Sequence, residues 1–420
     1  PKIAIIGAGP VGCTLARLLH LASLPVTVFE AEASPNYRSQ GGTLDLHTST
    51  GLAALKAAEL FKTFLSHARY DGHHIQFTDR RLKSYLTLVG PAVPKEGAPR
   101  SKLEEQRPEI DRSDLRRLLA ESLPEGVIRW GWKVESVTPS EDGDPLETKG
   151  FALVVGADGA FSRTRTAVSG EKPVFSRVGL WELSVPDAER TAPEVKAAVK
   201  GGSIFAHAKG RRISVQQMGD GSLSVGVVQA QEDEDWARRE KCGYDAGDLE
   251  AVKDRLLEGE GALFGEDWHP LVREALRKCE GRCIPRSLWQ MPVGFRWEHC
   301  EGITLVGDAA HVMTPFAGEG VNVGMNDAMN LAKEVVQALR KEGGWTREAL
   351  DAAVRDYELE MWPRSEKVAR LSDELAKLYM FEPNTPESII ARTTALHVKV
   401  AVPRVVHPLV DAAVHGVFFF

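Results

Sequence analysis

Apolar residues follow three different rhythms along this chain. KIAIIGAG begins with an unbroken apolar run, as in a strand covered on both faces; CTLARLLHLAS spaces its apolar residues at helical intervals; PVTVFEAE returns to a strand. Residues 1 to 30 therefore form a βαβ unit around a glycine turn. SDLRRLLAES, from Ser113 to Ser122, predicts a helix that leads through Pro124 and Gly126 to IRWGWKVESVTP, an alternating strand, and then to the apolar strand FALVVGADG.

From about Pro173 to Ile284 the rhythm shortens to alternating strands, SIFAHAKG, RRISVQQMGDG and SLSVGVVQA, followed by two helical stretches between Ala246 and Cys279. The continuous apolar pattern comes back in GITLVGDAAHVMTPFAGEG, with a long helix starting near Val321, and after Trp345 the chain reads as helix to Phe381. The expected class is α/β: a discontinuous Rossmann-like domain over 1–172 plus 285–345, an inserted β-sheet substrate domain over 173–284, and a helical region over 346–420.

Length and composition narrow the partners. A chain of 420 residues exceeds one hydrophobic core, and a net charge of -7 argues against nucleic acid or an anionic membrane, leaving a small molecule as the expected ligand. The first strand starts at Lys2, with no charged and apolar leader before it, so a cytoplasmic site is expected; a monomer is the expected state, though the sequence does not itself give it. No apolar run is long enough to span a membrane; the C-terminal stretch from Ala395 is interrupted by Lys399, Arg404 and Asp411. Five scattered cysteines read as reduced thiols; Cys279 and Cys283 lack a second ligand pair, and no metal is expected.

Gly7, Gly9 and Gly12 form GxGxxG between strand and helix, where glycine lets a pyrophosphate approach a helix N-terminus, and Glu30 ends the second strand where its carboxylate can accept from a ribose. This pattern does not separate NAD from FAD. GDAAHVMTPFAGEGVN, Gly307 to Asn322, does: Asp308 at a strand end can accept from a ribityl hydroxyl, and the turn from Pro315 to Asn322 (with Gly318, Gly320 and Val321) offers backbone N–H groups and a helix N-terminus to the electron-rich edge of a flavin. Pro315 and Gly318 serve the chemistry through approach and shape rather than proton transfer. His311 reads as packed and hydrogen-bonded, not as a base.

That segment resembles the ribityl-binding motif of the class A flavoprotein monooxygenases, which have the para-hydroxybenzoate hydroxylase fold, and VVGADGAFSRTR, with Asp158, resembles the family's DG motif. RSQGGTLDLH and EIDRSDLRRLL are similar to segments of the tetracycline-inactivating monooxygenases. The resemblance implies FAD held in part by Asp45 and Arg112, NADPH received with the help of Arg38, and O₂ and an electron-rich aromatic or tetracycline-like substrate meeting over the flavin, with oxygen transferred through a flavin hydroperoxide. It implies substrate contacts at Trp181, Glu182, Ser203 and Ser224, where the tetracycline-binding side chains are not all retained, and at Pro315, Phe316 and Gly318. It also implies that the helix end from Leu371 to Phe381 closes the pocket. The competing readings are a flavin oxidase or dehydrogenase without oxygen transfer, and a non-catalytic flavin-binding protein.

Overall fold

A computed structural model describes residues 2–34, 41–72, 74–89, 107–138, 151–259, 261–340, 346–383, 389–402, 406–410 and 413–414. The first sheet holds β1 (Ile3–Ile6), β2 (Val26–Glu30), β7 (Ile128–Trp130), β8 (Leu153–Gly156) and β14 (Ile303–Leu305), all parallel, in the order β14-β8-β1-β2-β7. Its strands lack alternation because both faces are covered: Ile3, Ile5, Val28, Leu153 and Leu305 enter the main core, while Ala4, Ile6, Val154 and Ile303 enter a smaller cluster behind it. The strand expected from IRWGWKVESVTP is confined to Ile128–Trp130; Val134 and Val137 beyond it pack under the sheet without joining a ladder.

Two helices meet at the carboxyl end of β1. Helix α1 (Pro10–Leu21) follows the glycine loop, and the helix from Gly320 to Arg340 follows the turn after β14. Close approach bars a side chain at two points: a Cβ on Gly12 would lie 2.0 Å from the carbonyl oxygen of Gly7 in the loop before α1, and one on Gly324 would lie 2.6 Å from the Val11 side chain of α1.

The second sheet has the order β13-β9-β12-β11-β10-β4-β5, with β4 (Ile75–Asp79), β5 (Ser84–Leu88), β9 (Val174–Val185), β10 (Ser203–Ala208), β11 (Arg211–Gln217), β12 (Leu223–Ala230) and β13 (Ile284–Gln290). Here the expected boundaries need correction. Strands β4 and β5 come from within 1–172 yet extend the second sheet, β4 pairing in parallel with β10, and β13, placed almost entirely in the first domain by a boundary at 285, pairs with β9. These partners lie far apart in sequence, so no local pattern announces them. The odd-numbered side of β9, with Trp181, Leu183 and Val185, packs on Val252, Leu256, Val272 and Leu276 of the helices Leu249–Leu257 and Pro270–Arg277.

A helix of 35 residues, Arg347–Phe381, staples the two sheets together. Its first half buries Leu350, Val354, Tyr357 and Met361 in the main core; its last turns bury Leu371, Leu375, Leu378 and Met380 with Val178, Val228 and Phe316 under the second sheet. Glu358 is its buried anchor, accepting from Trp297 Nε1 (3.1 Å) and Thr304 Oγ1 (2.7 Å) and pairing with His299 Nδ1 (2.7 Å). Glu358→Ala leaves the buried Trp297 and Thr304 donors and the half-buried His299 without this acceptor and is expected to cost about 3 kcal/mol in urea denaturation. An unchanged midpoint would remove the anchoring role.

Candidate active site

The glycine loop is built around Glu30. Its carboxylate accepts from the backbone N–H of Ala8 (2.7 Å) and of Glu32 (2.9 Å), and Arg116 Nη2 lies 3.6 Å away, so the last residue of β2 holds the loop after β1 in place. Gly7, at φ +107, and Gly12 are confined by the backbone, whereas a Cβ on Gly9 would meet nothing within 4 Å. Gly9 caps α1 without a side-chain hydrogen bond, leaving the helix N-terminus facing open space. Loop, helix end and carboxylate have the dimensions and polarity that a dinucleotide pyrophosphate and ribose require.

The turn after β14 lies at the same end of the sheet. Asp308 is exposed there, and Gly318, at φ +69, and Gly320 have open space where a Cβ would sit. Pro315–Ala317 form a 3-10 turn; Pro315 and Gly318 are exposed, Phe316 is buried, Val321 is partly buried and Asn322 is fully buried. Asn322 donates to the Asp45 carbonyl (2.9 Å) and accepts the His47 backbone N–H (2.9 Å), which ties the turn to β3 (Thr43–Asp45) and its partner strand β6 (Glu109–Asp111).

His47 bridges Asp45 (3.1 Å) and Glu319 (3.2 Å). Burial opposes its charge, but these two carboxylates win and raise it from 6.5 to about 9; although burial acts in the opposite sense, the imidazolium and Arg107 hold Asp45 below the usual carboxylate range. No motif singled out His47, Glu319 or the buried Asp327, which accepts from Gly307 N–H (2.9 Å), His311 (2.6 Å) and Arg364 (3.0 Å). His311 is thus a packed structural residue, as its setting in the motif suggested.

Other expected cofactor residues divide. Arg112 is exposed, its Nε beside Gly41 at the edge of the same cleft. Asp158 spends its carboxylate on its own turn, accepting from Ser162 Oγ (2.5 Å) and the N–H groups of Arg163 (2.7 Å) and Thr164 (3.1 Å), so it shapes the loop beside Gly7. Arg38 lies outside the described residues.

The second sheet turns one face toward the 315–318 turn. Its register aligns three rows: Ser184, Ser224, Gln216 and Ser203; Glu182, Gly226, Ser214 and Phe205; Leu180, Val228, Arg212 and His207. Two cavities, of about 640 and 600 Å³, open above these rows and share Thr43, Arg212, Gln216, Pro315 and Phe316 as their common wall. Glu182 and Ser224 border the first, Ser203 and Gly318 the second. Trp181 does not reach either: it is the pleat neighbour of Glu182 and points to the opposite face, where its ring meets Trp236 at 4.5 Å in the domain core. The assignment of Trp181 to substrate is therefore corrected.

Two charged groups of the walls were not foreseen. Glu109, paired with Arg69 (2.7 Å), is raised to about 7 by burial. Arg212 lies between the rings of Phe205 (5.1 Å) and Phe316 (4.9 Å), with its Nε enclosed and without a hydrogen-bond partner; burial lowers it to about 10, so it stays a cation at neutral pH. The signal was its parity with Ser214 and Gln216, opposite the apolar Ile213 and Val215.

This architecture, two sheets joined at a cleft with a helix N-terminus and a glycine turn at its mouth, is that of the class A flavoprotein hydroxylases. A monooxygenase of Penicillium thymicola, penA, is 30% identical over an alignment of 418 residues that covers 88% of this chain and 93% of that protein. HpxO of Klebsiella pneumoniae, solved with FAD and uric acid, superposes with a TM-score of 0.70 at 16% identity, covering 98% of this chain and 95% of that one. The tetracycline destructase Tet(51) gives 0.65 at 17% identity over 98% and 97%. The chain belongs to the FAD binding domain family, which matches residues 2–242 and 286–372, and it is a FAD-dependent monooxygenase.

Two substitutions separate packing from ligand approach. Gly12→Ala is expected to lower Tm by roughly 5–10 °C through its clash with Gly7, whereas Gly9→Ala leaves the Tm of FAD-free protein unchanged and weakens FAD binding about tenfold or more in a fluorescence titration. The His47 bridge carries a pH signature. The folded value exceeds the ordinary one, so its stabilisation is complete below about pH 6.5 and is lost as pH rises through about 9. In denaturation at a series of pH values, His47→Asn is expected to cost at most about 3 kcal/mol near pH 6 and almost nothing near pH 10.

Proposed function

We propose that this monooxygenase takes electrons from NADPH and hydroxylates an electron-rich phenolic or polycyclic small molecule, of a tetracycline- or polyketide-like kind, within the cleft between the two sheets. The observation that carries the proposal is the common wall of the two cavities: the turn at Pro315 and Phe316, which the family uses to present the flavin, faces the polar rows of the second sheet across a space of drug-like size. The likeness to a tetracycline destructase and to a urate-bound structure supports a planar, oxygen-rich substrate.

FAD fits the residues present. Its pyrophosphate would lie against the N-terminus of α1 beside Gly9, its adenosine ribose against Glu30, its ribityl chain near Asp308, and its ring against the turn from Gly318 to Asn322, with Asp45 and Arg112 at the edge. When reduced, FAD supplies the activation of O₂ that no side chain can perform. The protein's own part is approach and exclusion. Gly318 and Gly320 keep the turn free of side chains, and the helix N-terminus at Gly320 favours negative charge on the ring edge. Phe316, Phe205, Phe77 and Tyr379 keep water from one side, and Ser203, Ser224 and Gln216 offer hydrogen bonds to the substrate's oxygens. Tyr379 is contributed by the end of the long helix, which supports the pocket-closing role expected for Leu371 to Phe381. Receipt of NADPH is assigned to Arg38 by the resemblance.

The test is oxygen transfer itself. With a panel of tetracyclines, anhydrotetracyclines and simple phenols under labelled O₂, at least one compound should accelerate NADPH oxidation and gain one labelled oxygen by mass spectrometry, with NADPH preferred to NADH. Stoichiometric hydrogen peroxide with unlabelled product would identify an oxidase instead, and no substrate-stimulated NADPH consumption would contradict the proposal.

A further inference from the structure

The cavity-facing side of the second sheet changes chemistry from strand to strand. Pairing of β4 with β10 and of β5 with β4 carries two of its rows outward: Ser224, Gln216 and Ser203 continue into Ile75 and Leu88, and Ser214 and Phe205 continue into Phe77 and Leu86. Hydroxyls and an amide therefore give way to hydrocarbon at β4 and β5.

The cavity of about 600 Å³ lies along this gradient. Its inner end holds Asp45, Arg107, Glu109 and Gln216, whereas its outer end holds Ile75, Leu86, Leu88 and Val89 together with Thr394 and Val398 of the helix Ile389–Ala401. Among the described lining residues of β4, β5 and that helix there is no Asp, Glu, Lys or Arg. Rings connect the two ends: Phe316 meets Tyr379 (6.0 Å), Tyr379 meets Phe77 (6.5 Å), and Phe77 meets Phe205 (5.4 Å).

The outer end is apolar yet open. Leu88 is 47% exposed, Val89 74% and Val398 40%, and β5 is the edge strand of its sheet. An exposed apolar edge invites wrong pairing, so a contiguous patch of this kind, continuous with a cavity, marks a surface that a ligand covers. A single ring placed at the Pro315–Ala317 turn would leave most of the space unfilled, since cavities of several hundred Å³ enclose drug-sized molecules.

We infer that the outer end is a subsite for an uncharged hydrocarbon arm of the substrate: the molecule oxidised carries, beyond the oxygen-bearing ring presented to the turn, an alkyl or aryl substituent that runs across β10, β4 and β5 to Leu88 and Val398. This inference rests on reading the cleft as the substrate site and adds the shape and polarity of the substrate. Two strand spacings separate Ser203 from Leu88, so the arm is about 10 Å long. Simple phenols leave the outer end in water.

The experiment uses FAD-loaded protein, titrated through the perturbation of the flavin absorbance with 4-methylphenol, 4-heptylphenol and a 4-alkoxyphenol whose arm has the same length but is interrupted by ether oxygens. Wild type should bind 4-heptylphenol about thirtyfold or more tighter than 4-methylphenol and about fivefold or more tighter than the ether, since each fully buried methylene is worth about fourfold. Leu88→Asp combined with Val398→Asp should cut the length preference about tenfold, and Thr394→Trp, which fills the passage without adding charge, should do the same. Tm and flavin content establish that each variant is folded, and if one is not, the other decides. Equal affinity of wild type for the long and short phenols, no detectable binding of either, or an ether arm bound as tightly as heptyl overturns the inference. A length preference undiminished in the folded variants overturns it too. Labelled oxygen entering short phenols as readily as long ones removes the arm site and leaves the reaction in place; a length preference without oxygen transfer to any compound removes the reaction and leaves the arm site standing.

Discussion

The structure depends on backbone meeting backbone at the carboxyl end of β1. Gly12 approaches the Gly7 carbonyl, and the Val11 side chain of α1 fills the space left by Gly307 and Gly324, so that α1 and the helix from Gly320 pack with Val11 wedged against bare backbone. This close contact places two helix N-termini, with their partial positive charge, at one mouth of the parallel sheet. A methyl group on Gly12 would strike the Gly7 carbonyl and one on Gly324 would strike Val11, so the glycine loop, α1 and the helix from Gly320 could not keep this approach.

Everything polar at this mouth serves to hold that arrangement while leaving its surface open. Glu30 is committed to the glycine loop, Asp158 to the DG turn, Asp327 to Gly307 and His311, and Asn322 to the strand at Asp45. Pre-paired in this way, the loops do not need to reorganise when a dinucleotide arrives. The side toward the second sheet is arranged differently. The long helix Arg347–Phe381 brings that sheet over the turn, and the face so presented carries hydroxyls, amides and the Arg212 guanidinium, whose Nε is enclosed without a hydrogen-bond partner.

How much of this could be read from the chain follows from which constraints are local. GxGxxG with Glu30, and GDAAHVMTPFAGEG before a helix, are dictated by turns a few residues long, so these two loops were legible in the order of residues. The parity of a strand is not local. Whether Trp181 or Glu182 faces the cavity depends on register with β12 and β13, and the strand's own alternation does not say which face is covered. Arg212, beside Arg211 and just after the turn at Gly210, looks like one more surface charge until β10 and β12 place it between His207 and Val228. Likewise β4 and β5 sit in the stretch assigned to the first domain, and only pairing with β10 reveals that they extend the second sheet.

The central claim is that a flavin ring lies at the shared wall of two cavities, between the Pro315–Ala317 turn and the sheet face that carries Arg212. A crystal structure of the FAD-loaded protein addresses it directly. The account predicts pyrophosphate density against Gly9 and the N-terminus of α1, with the isoalloxazine beside Gly318 and open space between it and Ser224. Density that puts the ring anywhere outside the two cavities, or the pyrophosphate away from the glycine loop, would contradict it.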